Sequence, residues 1–334
     1  MAAIRGIAHR APATHLGALE LRPNLFAISF GFAGLAQVWS TVARTASTPD
    51  WAGNTLWIVA ALVWLITLAG YLANVAVGHR WRTELSDPTF GPFTSLIVIV
   101  PMLLGVALAS QARTAGEVVF GCGAAATVVV GAWLTGGWIV LDGDIKRWHP
   151  GYFLPMVAGG LVAASGSAAL GLGTLALAFF GLGAVSWLVL GSILLLRLFT
   201  VPTLPPPLLP TIAIEIAPPA LAANAWFAIN GGRIDAVAAI LAGYTALMAL
   251  VQARLIPLYR KAPFGPGSWA FSFPYAAAVT CGIHWLAAEH VPSGVALAYC
   301  AAGLLTAGFA LLTGRTATEL ASGTFLPRAT PGGS

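Results

Sequence analysis

Apolar residues in this chain fall in long blocks separated by short polar breaks, not in amphipathic stripes. A helix needs about 20 predominantly apolar residues to cross a bilayer core. On that criterion ten spans are predicted, at residues 23–43, 52–77, 89–110, 117–140, 151–168, 171–196, 208–229, 236–256, 268–287 and 293–313. The ends, 1–21 and 315–334, are rich in Ala, Pro, Thr and Gly and read as poorly ordered tails around a transmembrane domain at 22–314.

Proline is spread unevenly over these blocks. It lies inside the odd-numbered spans, as Pro101 in the third, Pro155 in the fifth, Pro218 and Pro219 in the seventh and Pro274 in the ninth. The first span begins at Pro23 and has Gly31 and Gly34 in its middle. Even-numbered spans carry no interior proline; Pro202 and Pro257 lie at or beyond helix ends. Odd spans start near 23, 89, 151, 208 and 268, a period close to 60 residues that reads as five copies of one helical hairpin.

An interior proline removes a backbone hydrogen bond and clashes with the preceding turn. In a membrane such breaks are tolerated where the freed groups face protein or a water-filled cavity. The expected fold is an all-α polytopic membrane protein, with odd helices lining a central path and even helices facing lipid. The plainer alternative, that proline is common in membrane helices generally, does not explain the alternation. Within the ninth span, the Phe273–Pro274 step predicts a kink and a bulky ring beside it. Phe271 and Phe273 point about 200° apart on a helix, so only one of them faces the path.

Composition agrees with this reading. The chain is 58% hydrophobic and 8% charged, against about 25% charged in soluble domains. Its net charge of +5 is scattered through short loops and forms no nucleic-acid-binding face. With both termini on one side, thirteen of the sixteen Lys and Arg residues share that side, and only Arg44, Arg113 and Arg233 lie opposite. The positive-inside rule then makes both termini cytoplasmic in a plasma (inner) membrane protein. The link Gly78–Asp87 reads as interfacial, with Trp81 at the headgroups and Arg80 and Arg82 near anionic lipid. Cys122, Cys281 and Cys300 sit in apolar runs without a CxxC pair, so neither disulfides nor zinc are expected. The basic first twenty residues lack an apolar core and a cleavage site, so no removable signal peptide is expected.

Ionisable groups inside the spans are few. Glu215 is the one acid deep in an apolar run, where a charge costs on the order of 2.5–3.5 kcal/mol. It is either a coupling or gating carboxylate, or a neutral acid hydrogen-bonded to backbone freed by Pro218 and Pro219. His284 reads as a packing or interface histidine, and His149 belongs to the cytoplasmic interface. Asn24, Gln37, Asn74 and Asn224 suit interhelical hydrogen bonds as well as contact with a permeant. No protease, hydrolase, nucleotide-binding or calcium-loop motif occurs, so no enzyme, cofactor or metal is expected. No Lys or Arg lies at the centre of a span, so a conducted anion would be held by helix-end dipoles and backbone N–H groups.

Four segments carry a resemblance: RPNLFAISFGFAGLA in the first span, WHPGYFLPMVAGGLVAA in the fifth, LLPTIAIEIAPPALAANAW in the seventh and WAFSFPYAAA in the ninth. Over residues 22 to 313 the chain resembles the tellurite-resistance/dicarboxylate transporter family, which takes in TehA-like bacterial proteins, plant slow-type anion channels, malate permeases and sulfite exporters. The resemblance implies five helical hairpins in a quasi-fivefold arrangement, a homotrimer with one pore per protomer, and a pore closed by a ninth-helix phenylalanine, here Phe273. It also implies that Gly31 leaves room around the pore.

Two departures stand out: an acid at Glu215, and the absence of long phosphorylatable tails. The expected function is a gated anion channel or channel-like exporter for small inorganic or organic anions. The alternative is a proton-coupled transporter of dicarboxylate, sulfite or tellurite using Glu215. A non-transporting membrane scaffold would leave the broken helices without a purpose.

Overall fold

The computed structural model describes residues 21–78, 84–140 and 143–326. The link through Arg80, Trp81 and Arg82 and the tails before residue 21 and after residue 326 lie outside the described residues. Ten helices follow one another without a strand among those residues. They are α1 (Pro23–Ala46), α2 (Trp51–Gly78), α3 (Gly91–Ala109), α4 (Arg113–Val140) and α5 (Pro150–Ala169). Then come α6 (Gly173–Thr200), α7 (Pro206–Asn230), α8 (Ala236–Tyr259), α9 (Pro266–Phe271 continuing as Ser272–Ala288) and α10 (Gly294–Ala321). Nine are long and apolar enough to cross a membrane. The exception is α9, whose regular part is 17 residues behind a tighter lead of six. Helix α10 runs on to Ala321, past residue 313 where its apolar block fades.

Each odd helix packs on the even helix that follows it, giving five hairpins. The odd helices also touch one another in cyclic order, α1 to α3, α3 to α5, α5 to α7, α7 to α9, and α9 back to α1. Burial separates the two sets. In the most apolar stretches of α1, α3, α5 and α7, between 56% and 83% of residues are buried, against 11% to 33% in the five even helices. The even helices present Ile66, Val129, Leu188, Leu250 and Leu304 outward, as a lipid-facing surface requires.

Small residues let the helices approach closely. A methyl on Gly105 would meet the Phe120 backbone nitrogen at 2.6 Å, joining α3 to α4. One on Gly160 would meet Gly183 Cα at 2.9 Å, joining α5 to α6.

All five inner helices open with a tighter 3-10 turn that has proline at its first or second position: Pro23, Pro92, Pro150, Pro206 and Pro266. Proline suits that position because the N–H it lacks has no partner there anyway. The interior prolines do different work from the kinks expected of them. Pro218, Pro219 and Pro274 sit in the first turn of the regular helix, just after the 3-10 segment ends. In α9 the break therefore falls at Phe271–Ser272, ahead of Pro274. Pro155 lies in a wide π-type turn, Leu154–Ala158. Pro101 alone sits deep in regular helix, and the Ile97 carbonyl it leaves free accepts from the Trp64 indole of α2 at 3.2 Å. Pro257 falls within the last turns of α8, so an even helix does contain one.

His149 closes the entry to α5. It is fully buried, its Nδ1 accepts from the Gly151 N–H at 3.1 Å, and its Nε2 lies 3.1 Å from the Thr89 carbonyl. Nδ1 is thus unprotonated, and Nε2–H donates across to the α2–α3 connection. Burial pulls its pKa from 6.5 down to about 4. The unfolded chain takes up this proton below pH 6.5 and the folded chain only below about 4, so the stabilisation is complete above 6.5 and is lost as pH falls toward 4. At about 1.4 kcal/mol per pH unit the loss amounts to a few kcal/mol. The melting temperature in detergent is expected to fall across that window, and His149→Gln to flatten the fall; an unchanged slope would remove this assignment.

Candidate functional site

The ring of inner helices encloses three spaces in series. At the end where those helices begin lies a cavity of about 410 Å³ lined by Asn24, Phe93, Thr211, Phe264 and the Thr324–Leu326 segment after α10. At the opposite end is a vestibule of about 770 Å³ lined by Gln37, Ser40, Arg44, Ser110, Ser165, Asn224 and His284. Between them is a cavity of about 30 Å³, room for roughly two water molecules. All five inner helices reach it, with Phe30 from α1, Phe93 from α3, Phe153 and Val157 from α5, Pro218 and Leu221 from α7, and Phe273 and Pro274 from α9. Its lining carries no charged residue. Phe93 borders both this space and the first cavity.

Phe273 is 2% exposed and stacks on Phe30, with ring centroids 3.5 Å apart and planes 12° from parallel. Phe271 turns the other way, edge-on to Tyr259 of α8 at 5.0 Å. The choice between the two aromatics, which spacing left open, is made by packing.

The glycines of α1 are cut to fit this arrangement. A methyl on Gly34 would meet the Phe273 ring at 2.9 Å, so Gly34 makes the seat for that ring. Gly31 faces Ser272, whose hydroxyl a methyl there would overlap, and leaves room for α9 more than for the axis.

Glu215 stands elsewhere. The residues of α7 that reach the central cavity are Ile214, Ala217, Pro218 and Leu221, and Glu215 is not among them. It is 6% exposed, and its Oε1 makes no hydrogen bond. The expected bond to backbone freed by Pro218 and Pro219 is therefore not formed at that atom. Asn224 does make an interhelical bond, from Nδ2 to the Ala277 carbonyl at 2.9 Å, while its buried Oδ1 has no partner. His284 lines the outer vestibule with its ring edge-on to Phe227 at 5.4 Å.

Sequence reasoning missed Phe30, Phe93, Phe153 and Trp269. A signal was available for three: Phe93, Phe153 and Trp269 each follow the opening proline of an inner helix by one to three residues.

The electrostatics run along the axis. None of the five opening turns has an acidic residue in it, and the opening turns of α1, α3, α7 and α9 border the first cavity, so positive helix-dipole ends face it. At the far end the negative ends converge, and Arg44, in the last turn of α1, stands there with its Nη2 donating to Thr41 at 2.9 Å.

Comparison with known proteins follows the same pattern. The model of the voltage-dependent anion channel family matches residues 20–317. A tellurite resistance protein TehA homolog from Haemophilus influenzae is 31% identical over 263 residues, covering 77% of this chain and 79% of that protein. The S-type anion channel SLAH3 of Arabidopsis thaliana is 26% identical over 276 residues, 78% of this chain and 42% of the plant protein. The S-type anion channel SLAH1 from the same plant is 36% identical over 120 residues, 35% of this chain and 31% of that one.

The Gly31–Ser272 contact lends itself to measurement. Gly31→Ala is expected to cost about 1–3 kcal/mol through overpacking, read as a lower melting temperature in detergent. Adding Ser272→Gly should recover part of the loss, and strict additivity of the two changes would contradict the contact.

Proposed function

This chain belongs to the voltage-dependent anion channel family, and from that premise we propose that it is a gated channel, or channel-like exporter, for small anions, with Phe273 as the plug. The observation that carries the reading is the central cavity, a dry space of about 30 Å³ in series between two wide ones, with Phe273 stacked on Phe30 at its wall. An anion stripped of water to pass such a space meets a cost of at least several kcal/mol, and hydrophobic constrictions gate by excluding water. The conformation described is on this reading the closed one.

The positive ends of the inner helices at the entry draw anions in without binding them tightly, and the absence of Lys or Arg in the central lining lets them leave. The protein acts as a homotrimer in the plasma (inner) membrane with both termini in the cytoplasm, and its five hairpins are quasi-fivefold around each pore. The inner-helix residues Gly31, Gly34, Pro101, Pro155, Pro218 and Pro219 shape the helices that carry the path. No catalytic step is assigned to it.

In planar bilayers Phe273→Ala is expected to raise anion conductance well above that of the unmodified protein, and Phe30→Ala to raise it less, by removing the ring on which the plug rests. A conductance of Phe273→Ala no larger than wild type would overturn the plug.

The proton-coupled alternative rests on Glu215, buried and unpaired at Oε1. Its place outside the central lining favours the channel. Glu215→Gln should accordingly leave the pH dependence of anion flux in proteoliposomes unchanged; loss of that dependence would favour coupled transport of a dicarboxylate, sulfite or tellurite.

A further inference from the structure

A fourth cavity, of about 230 Å³, lies away from the axis, at the end of the bundle where the inner helices begin. Its wall is aromatic. Trp133 and Trp138 come from the end of α4, Trp148 from the connection before α5, and Tyr152 from the first turn of α5. Trp148 and Tyr152 stack with centroids 4.5 Å apart, and Trp138 leans on both at 6.0 and 4.7 Å. Arg197 of α6 braces the connection from below, donating to the Lys146 carbonyl at 3.0 Å.

Tryptophans near a membrane surface are common, and most need no ligand. Three observations set this group apart. Trp39, Trp57, Trp64, Trp226 and Trp269 all donate their indole N–H to a protein group. Trp133, Trp138 and Trp148 make no such bond among the described residues; Trp51, Trp187 and Trp285 make none either, but they do not line this cavity, where three free indole N–H groups gather.

The second observation is charge. The cavity lining includes two carboxylates, Asp87 and Asp144, and one guanidinium, Arg147. Asp87 accepts from Thr89 and Phe90 through Oδ1, and Asp144 accepts from the Lys146 N–H through Oδ1. Their Oδ2 atoms remain for another donor. The third is exposure: Trp133, which lines the cavity, is 67% exposed, and Ile139 and Val140 of the same helix are 80% exposed, so α4 presents apolar surface where acyl chains would lie.

We propose that this cavity holds the headgroup of a zwitterionic phospholipid, specifically an ethanolamine. The primary ammonium lies against the aromatic faces, an arrangement stabilised by the ring quadrupoles, and its N–H groups donate to Asp87 and Asp144. A quaternary ammonium has no N–H to offer these carboxylates. The phosphate takes Arg147 and the free indole N–H groups, and the acyl chains run along α4. Two carboxylates against one cation disfavour a headgroup with net negative charge. Tyr152 is followed directly by Phe153, whose ring lines the central cavity, so an occupied headgroup site abuts the opening turn of an inner helix.

The test is native mass spectrometry of the delipidated full chain with dioleoyl phosphatidylethanolamine and dioleoyl phosphatidylglycerol at equal concentration. Phosphatidylethanolamine should be retained several-fold over phosphatidylglycerol. Asp144→Asn removes the charge while its amide oxygen keeps the bond from Lys146, and Trp138→Phe keeps the ring but not the N–H. Both should bring retention down to the phosphatidylglycerol level. Equal retention of the two lipids by the unmodified chain would overturn the proposal, as would an unchanged preference in both variants. Displacement of the lipid by millimolar free phosphoethanolamine would overturn the lipid assignment in favour of a soluble ligand.

Discussion

In hydrocarbon there is no water to take up a spare backbone N–H or carbonyl, so each must find its partner within the protein. Five helices that begin behind prolines in tight turns strain that requirement most, and the architecture answers it. They begin where proline's missing N–H is harmless, and the one proline deep in regular helix is answered by the Trp64 indole of the neighbouring hairpin. The five then close into a ring that keeps their irregular stretches out of lipid. The even helices are regular, and they cover the outside.

The same ring lays out the electrostatics. Five helices entering in parallel place five positive dipole ends at one mouth and five negative ends at the other. The mouth with positive ends carries no acid in its opening turns, while the opposite vestibule has Arg44, Asp50, His284 and several neutral polar groups. Between them, aromatic and aliphatic side chains leave little space. Polar groups thus flank an apolar middle, and there Phe273 stacks on Phe30.

Much of this was readable in the chain. Ten apolar blocks predicted ten helices, and the alternation of proline predicted which five lie inside. The glycines at 31 and 34 and the Phe273–Pro274 step marked where α1 and α9 meet. Other details were decided at the level of single atoms. Pro274 sits just past a change of helix type, and Gly31 makes room for Ser272. Glu215, the residue most open to a chemical reading, stays off the central lining.

What the sequence determined by itself is the inventory: how many helices cross, which are irregular, which carry charge in their connections. Length, hydrophobicity and backbone chemistry are local properties, and local properties are written residue by residue. What only the tertiary structure decided is rotation. An inner helix is apolar on every face, so its sequence has no polar stripe to say which side meets the axis. Contact with its neighbours sets that angle, turning Phe273 inward and Phe271 toward Tyr259. The same contacts gather Trp133, Trp138, Trp148 and Tyr152 from separate elements into one wall. The chain itself specifies the ring but leaves the facing of each helix within it to packing.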